Sequence, residues 1–441
     1  MSAAPGEATS QIAEHGMSAP GDATSQIAEH DIELALQELE RLGLGRRLRT
    51  IEGPQGPRVT LDGRPVLLLC SNDYLGLAGH RRVREAAAEA ALRWGAGAGA
   101  SRLVSGTMSI HRDLERRLAA FKGREDCVLF GSGYLANLGA IGALAGPGDS
   151  VFSDALNHAS IVDGCRLSRA QIHVYRHLDT EHLAWSLRHH GSGRRLIVTD
   201  TVFSMDGDVA PLAEIVRLAR DHGARLLVDE AHATGALGPG GRGAVAAAGL
   251  EHEVDALVGT LGKALGTYGA YVCASATMVR HLVNGARALI FSTAPAPPAV
   301  AGALAALELL EEHPQRVARL RTRARTLRGA LAAEGFAVPA GEMQIVPLPA
   351  GDARTALALC EGALRRGVFA QAIRPPSVPK GTSRLRLTVT AAHSDDQLRH
   401  AAKALGEAAR AHANLTGIRF PPGMGGSSHL RTPTPNLAGT R

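Results

Sequence analysis

Short apolar runs alternate with longer amphipathic stretches between residues 127 and 275. The short runs are bounded by Gly, Asp, Ser or Arg, which is typical of buried strands. The longer stretches have helical period, and one of them, PLAEIVRLARDHG, begins with a proline and ends with a glycine, as helices commonly do. The predicted strands are CVLF (127–130), SVF (150–152), RLIVTD (195–200), RLLVDE (225–230), DALVGT (255–260) and AYVCAS (270–275). This alternation predicts an α/β fold with a mainly parallel sheet covered on both faces.

The pattern changes at APAPP, residues 294–298. An Ala, Leu and Arg-rich helical stretch follows from 299 to about 335, and shorter strands are predicted near 343–348 and 384–390. We therefore predict a large domain over 81–295 and a smaller α+β domain over 296–412.

The two ends of the chain lack such patterns. Residues 1–31 hold two near copies of one segment, MSAAPGEATSQIAEHG and MSAPGDATSQIAEHD, with little to bury. Residues 413–441 consist mainly of turn formers and polar residues. We expect both ends to be flexible tails, and we expect residues 32–80 to form a segment preceding the large domain.

The composition is that of a globular protein, with 441 residues, 45% hydrophobic, 20% charged and a net charge of only +6. That mild charge gives no reason to expect a nucleic acid partner. Five dispersed cysteines without a CxxC pair, no apolar run of membrane-spanning length and acidic residues in the first thirty positions predict a reduced, cytoplasmic protein outside the membrane. No Cys/His cluster indicates a metal site.

Asp229 and His232 follow a predicted strand in RLLVDEAHATG. A carboxylate at a buried strand end requires a cationic or hydrogen-bonding partner, so an ion pair or helix cap competes with a functional site as the interpretation. The letters DEAH also occur in helicases. That class requires a GxxxxGK[ST] phosphate loop, and the nearest string, GTLGKALG, lacks the Ser or Thr, which disfavours a helicase.

Lys263 lies between glycines after the next predicted strand, at the same sheet edge as Asp229. Desolvation would lower the pKa of this amine and make it nucleophilic toward an aldehyde. The GSG turn at 131–133 opens a helix whose N-terminus suits a phosphate, although such a turn alone is weak evidence. Asn157 and His158 follow another strand. A Schiff-base lysine and an acid for a pyridinium nitrogen are what pyridoxal phosphate (PLP) requires.

The chain from about residue 45 to 410 resembles the α-oxoamine synthases among the fold-type I PLP enzymes. This resemblance implies a mainly parallel large domain and a smaller α+β C-terminal domain. The strings that carry it are CSNDYLGL (70–77), ASRLVSGTMSIHRDLE (100–115), NHASIVDG (157–164), TDTVFSMDGDVAPL (199–212), VDEAHATG (228–235), GTLGKALG (259–266), FSTAPAPP (291–298) and RLRLTVTAAH (384–393).

The resemblance implies a role for each matching residue around the PLP ring. Lys263 would form the Schiff base and later act as the α-proton base, and Asp229 would pair with the ring nitrogen. His232 and Ser204 would lie near the ring oxygen, and His158 would stack on the ring face.

The phosphate and the substrate would be held by a second set of residues. The backbone amides of Gly133 and Tyr134, and Thr260, would hold the phosphate. Ser292 and Thr293 of a second subunit would complete that site, which implies a homodimer. Arg386, Asn72 and Arg46 would bind the amino acid substrate, whereas Arg384 would face the other side of its strand and be structural.

The closest activity within the resemblance is decarboxylative condensation of L-alanine with pimeloyl-CoA, a step of biotin biosynthesis. Joining glycine or serine to a different acyl-CoA is the main alternative. An aminotransferase on the same fold and a PLP-fold subunit without activity are further alternatives, and the presence of Lys263 disfavours the last.

Overall fold

The computed structural model describes residues 21–416. Its helices are α1 (Gly21–Arg41), α2 (Arg81–Trp94), α3 (Ser109–Lys122), α4 (Gly133–Leu144), α5 (Ala159–Ser168), α6 (Thr180–His189), α7 (Leu212–Asp221), α8 (Ala244–Ala247), α9 (Ala276–Gly285), α10 (Arg287–Ile290), α11 (Pro297–Glu312), α12 (Gln315–Ala333), α13 (Ala353–Leu364) and α14 (Asp395–Thr416). Its strands are β1 (Ile51–Glu52), β2 (Arg58–Leu61), β3 (Arg64–Leu68), β4 (Asp126–Phe130), β5 (Ser150–Asp154), β6 (Gln171–Tyr175), β7 (Arg195–Asp200), β8 (Arg225–Asp229), β9 (Ala256–Thr260), β10 (Ala270–Ala274), β11 (Ile345–Gly351), β12 (Val368–Phe369), β13 (Gln371–Ile373) and β14 (Ser383–Thr388).

A seven-stranded sheet with the order β4-β10-β9-β8-β7-β5-β6 forms the centre of the molecule. The strands β9, β8, β7, β5 and β6 pair in parallel, and β10 is antiparallel to both of its neighbours. The prediction of a mainly parallel sheet is therefore confirmed. The direction of β10 was not predicted, because AYVCAS has the same apolar character as its parallel neighbours.

Both faces of this sheet are buried. Leu226 and Val228 of β8 belong to a hydrophobic cluster that includes Leu114 and Leu118 of α3. Leu227, which points the other way, belongs to a second cluster with α4, α5 and α9. Burial on both faces explains why these strands are continuously apolar rather than alternating.

The C-terminal part contains a three-stranded antiparallel sheet with the order β11-β14-β13. Helix α12 packs against α14, and α13 against both α14 and β14. The predicted helical stretch from 299 is two helices, because His313 and Pro314 separate α11 from α12. Helix α11 begins at the predicted domain boundary and packs against α2 and α3 of the large domain. A further sheet has the order β1-β2-β3-β12.

The N-terminal unit ends at Leu48, and the compact unit described above begins at Arg49. Helix α1 starts at Gly21, ten residues before the predicted end of the flexible tail. Its Ile32, Leu36 and Leu39 follow helical spacing, which the composition-based interpretation overlooked. Residues 1–20 and 417–441 of the two predicted tails lie outside the described residues. Within the described chain, no helix is long and apolar enough to cross a membrane.

Candidate active site

Lys263 lies in the turn between β9 and β10, at the sheet edge where the sequence placed it. Gly266 closes this turn with φ of 65°, and a Cβ there would lie 2.4 Å from the Ala78 nitrogen. Burial lowers the pKa of the Lys263 amine, while Asp229 and Asp200 act in the opposite direction. A larger neutral fraction makes this amine a better nucleophile than a surface lysine.

Asp229 is the last residue of β8 and is only 4% exposed. Its Oδ2 accepts a hydrogen bond from Asn137 Nδ2 at 2.7 Å, and its Oδ1 accepts one from the Ala231 amide at 2.7 Å. Asn137 lies on α4 and also donates to Ser160 Oγ at 2.9 Å. The two donors orient the carboxylate in a buried position. Sequence analysis missed Asn137, although a polar residue within the apolar stretch YLANLGAIGALA was a signal.

Asp200 is a second buried carboxyl group that sequence analysis did not single out. It ends β7, directly opposite Asp229 in the parallel pairing, and its Oδ2 accepts a hydrogen bond from the His158 amide at 2.7 Å. Burial, and then the neighbouring Asp229, raise its pKa well above the usual value. Like Asp229, it is an acid at the end of an apolar strand, so the same signal could have found it.

His232 and Arg386 meet around the hydroxyl group of Tyr74. Tyr74 Oη lies 2.6 Å from His232 Nδ1 and 3.4 Å from the Arg386 NH2 donor. Arg386, which is 7% exposed on β14, also donates to Asn72 Oδ1 at 3.1 Å and to the Ser204 carbonyl. The structure thus brings four predicted residues together, and adds Tyr74, which lies in the CSNDYLGL string.

Arg384 lies on the same strand as Arg386 and makes a different set of contacts. It forms an ion pair with Asp206 and donates from Nε to the Thr382 carbonyl at 3.0 Å. The prediction that Arg384 faces the other side of the strand was wrong, because residues 384 and 386 are two apart and side chains two apart point to the same face. Its structural role stays a prediction, and these contacts support it.

Gly133 and Tyr134 begin α4, where the Ser132 side chain caps the helix by accepting from the Leu135 amide at 3.2 Å. The first amides of a helix have no acceptor within it, so they suit an anion. A Cβ on Gly133 would lie 3.9 Å from the Thr260 Cβ, which shows that this helix end faces the end of β9. The predicted phosphate residues of one chain are therefore neighbours.

The remaining predicted residues occupy different places. His158 caps α5, with its Nδ1 2.7 Å from Ser160 Oγ, and thus lies beside Asn137 and Asp200. Thr293 pairs with Ser101 in a short bridge after α10, and Ser292 precedes it. Arg46 is exposed in the N-terminal unit. Roles for these residues stay predictions.

The strand order with an antiparallel β10, and a lysine facing an acid at the strand ends, are features of a PLP enzyme of the aminotransferase type. A model of the family "Aminotransferase class I and II" matches residues 64–405. The chain belongs to this family and, within it, to the α-oxoamine synthases.

Particular relatives are 8-amino-7-oxononanoate synthases. The one from Geobacter sulfurreducens is 53% identical over 374 residues, covering 84% of this chain and 95% of the relative. The one from Anaeromyxobacter dehalogenans is 53% identical over 363 residues, covering 82% and 91%.

Solved structures agree with this placement. A lysine-to-alanine variant of a serine palmitoyltransferase from S. paucimobilis, with a bound PLP–myriocin aldimine, is 34% identical with a TM-score of 0.83, covering 87% of this chain and 98% of its own. An 8-amino-7-oxononanoate synthase from Francisella tularensis is 26% identical with a TM-score of 0.68, covering 79% and 98%. The fold-type I prediction is confirmed.

The residues present fit PLP. The first amides of α4 have no acceptor within the helix and lie beside Thr260, which suits a phosphate. Asp229 offers an oriented carboxylate for a pyridinium, and the Lys263 amine makes no hydrogen bond to another described residue. PLP is the cofactor of this family, and these residues are the ones that would hold it.

Proposed function

We propose that this chain condenses L-alanine with pimeloyl-CoA, releasing CoA and CO₂ and forming 8-amino-7-oxononanoate for biotin synthesis. The relatives that bear the name of this activity are about half identical to the chain and cover over four fifths of it. The observation that carries the proposal is that Asp229 ends β8 and Lys263 follows the adjacent parallel strand β9, and that Arg386 of β14 is joined to the turn after β8 through Tyr74 and His232.

When bound, PLP supplies an electron sink for the α-carbon of the amino acid. Asp229, whose carboxyl group is oriented by Asn137 and the Ala231 amide, would be the partner of the ring nitrogen. Lys263, whose pKa is lowered by burial, removes the α-proton and returns it after CO₂ has left.

Arg386 binds the carboxylate of the amino acid. Its guanidinium is held by the Ser204 carbonyl, Asn72 and Tyr74, so little side-chain entropy is lost on binding. A planar guanidinium can meet both carboxylate oxygens. Loss of this charge would raise the KM for alanine.

A cleft of about 390 Å³ opens beside Asn72 and Gly262, the residue before Lys263. Its walls include apolar side chains that suit an acyl chain, namely Ile51, Leu68, Cys70 and Phe369. We place the acyl group of the thioester in this cleft, since it leads to the reacting amine.

A second copy of the chain completes the site in this proposal. Large apolar side chains are exposed near the Ser101–Thr293 bridge, including Leu103 at 54%, Val104 at 79% and Phe291 at 71%. Covering them in a homodimer would bury this surface and bring Ser292 and Thr293 to the partner's phosphate site. The enzyme would act in the cytoplasm, in keeping with five free cysteines.

The test is turnover of purified enzyme with alanine, glycine or serine, each paired with pimeloyl-CoA, acetyl-CoA or palmitoyl-CoA, with CoA release as the readout. We expect alanine with pimeloyl-CoA to give the highest kcat/KM. A preference for serine and palmitoyl-CoA would favour the main alternative over the proposal. These are the substrates that the name of the serine palmitoyltransferase neighbour indicates for that protein. A pyridoxamine product without CoA release would indicate an aminotransferase. Lys263→Ala should abolish turnover.

A further inference from the structure

The Tyr74 hydroxyl group has more potential hydrogen-bond partners than protons. Tyr74 is 0% exposed, and its Oη lies 2.6 Å from His232 Nδ1 and 3.1 Å from Asn72 Oδ1. Arg386 NH2 approaches the same oxygen at 3.4 Å as a donor. The single phenol proton therefore goes either to the imidazole or to the amide oxygen.

The protonation states of Tyr74 and His232 limit which group can receive the phenol proton. Burial raises the pKa of Tyr74, so the phenol keeps its proton. Burial, followed by the positive charges of Lys263 and Arg386, holds the pKa of His232 well below its usual value, so the ring is neutral. A neutral imidazole has one protonated and one bare nitrogen.

Distances decide between the two directions. Bonds from an N–H donor to oxygen are usually about 2.9 to 3.0 Å long. The 2.6 Å separation between Tyr74 Oη and His232 Nδ1 is shorter than that, which favours the phenol over the imidazole N–H as the donor. Asn72 Oδ1 already accepts from Arg386 NH1 at 3.1 Å, so it does not depend on the phenol proton.

We propose that Tyr74 donates its proton to His232 Nδ1 and so holds His232 as the tautomer protonated at Nε2. The ring is also fixed through its backbone, because the His232 carbonyl accepts from Gln344 Nε2 at 2.9 Å. His232 Nε2 makes no hydrogen bond to another described residue, which leaves its N–H available to an oxygen of the ligand. Tyr74 is thus a positioning residue. The use of that N–H rests on the proposed function, whereas the tautomer does not.

The test is ¹⁵N NMR of enzyme labelled at histidine, with and without PLP, in which His232→Gln identifies the His232 signals. We expect wild-type shifts of an unprotonated Nδ1 and a protonated Nε2. Tyr74→Phe should shift both signals toward a mixture of tautomers, and should lower kcat about tenfold or more with a smaller change in the KM for alanine. Tyr271→Phe is the matched control, because it removes another buried phenol, whose hydroxyl group contacts Thr234 at 3.1 Å and forms no hydrogen bond with His232.

A wild-type spectrum with the proton on Nδ1 overturns the proposal, whether or not Tyr74→Phe folds. An unchanged tautomer in folded Tyr74→Phe also overturns it. If the wild type shows the Nε2–H tautomer but turns over no amino acid with any acyl-CoA, the proposed function fails while the assignment of Tyr74 stands.

Discussion

Asp200 and Asp229 lie directly opposite each other on adjacent parallel strands, and both carboxyl groups are buried. Two such groups do not ionise equally, because each disfavours the charge of the other. The pKa of Asp200 is raised mainly by burial and then by Asp229, which favours the neutral form of Asp200. Asp229 also receives hydrogen bonds from Asn137 and Ala231.

This asymmetry predicts different effects of replacing the two carboxyl groups. Asp229→Asn should lower kcat/KM by about a hundredfold or more, because it removes the carboxylate beside the ring nitrogen. Asp200→Asn should keep activity within about tenfold, because it retains an oxygen that accepts from the His158 amide. Steady-state kinetics on both variants measure this, and equal losses would contradict the assignment.

Asn137 should be needed for tight cofactor binding. Asn137→Ala removes the donor to Asp229 Oδ2, and we expect the PLP Kd to rise about tenfold or more and stability to fall by about 1 to 3 kcal/mol. Asn284→Ala is the control, because it removes an exposed asparagine amide that donates to the Arg280 carbonyl on α9. Absorbance titration of the apoenzyme with PLP gives the Kd, and a similar Kd for both variants would argue against this role.

His177 should make stability depend on pH. It bridges Asp154 at 2.8 Å and Asp208 at 2.7 Å, and these hydrogen bonds outweigh burial and raise its pKa to about 9. Because the folded-state pKa lies above the unfolded value of about 6.5, the stabilisation is complete below pH 6.5 and is lost as pH rises through 9.

The expected loss is on the order of 2 to 3 kcal/mol between pH 6 and pH 9.5, measured by urea unfolding. His177→Gln should flatten this dependence, and the exposed His252→Gln should leave it unchanged. A wild-type stability that stays constant across this range would show that the bridge does not require a charged imidazole.

The ion pair between Lys122 and Glu230 lies fully inside the protein. Lys122 Nζ donates to Glu230 Oε2 at 2.7 Å, to Thr234 at 2.8 Å and to the Arg242 carbonyl at 2.7 Å. Lys122→Met leaves a buried carboxylate unpaired, so we expect a loss of about 3 to 5 kcal/mol in the free energy of unfolding. Adding Glu230→Gln should recover more than half of this lost free energy of unfolding, which chemical denaturation measures. If the double variant recovers none of it, the loss comes from packing alone.

The cleft beside Asn72 should govern the length of the acyl chain. Cys70→Leu narrows it, and we expect kcat/KM for pimeloyl-CoA to fall about tenfold or more relative to acetyl-CoA, because the fit of a single methylene group has about this effect. Cys70→Ser keeps the width and serves as the control. Equal losses with both acyl-CoAs would place the acyl chain elsewhere.

The sequence alone predicted most strands of the central sheet and several of the polar residues at its edge. Continuous apolar runs bounded by Gly and Asp predicted the strands from β4 to β10 except β6, whose QIHVY mixes polar and apolar residues at the end of the sheet. Lys263, Asp229 and His232 were found because each follows directly on a strand, where parallel topology brings ligand-binding groups together.

Tertiary structure alone decided which side chains assist them. Asn137 and Asp229 are 92 positions apart, and Tyr74 and His232 are 158 apart, so no local pattern joins either pair. The direction of β10 and the opposition of Asp200 to Asp229 depend on strand order in the same way. Local periodicity determines which residues form a strand, whereas pairing between distant strands determines which buried polar groups must satisfy each other.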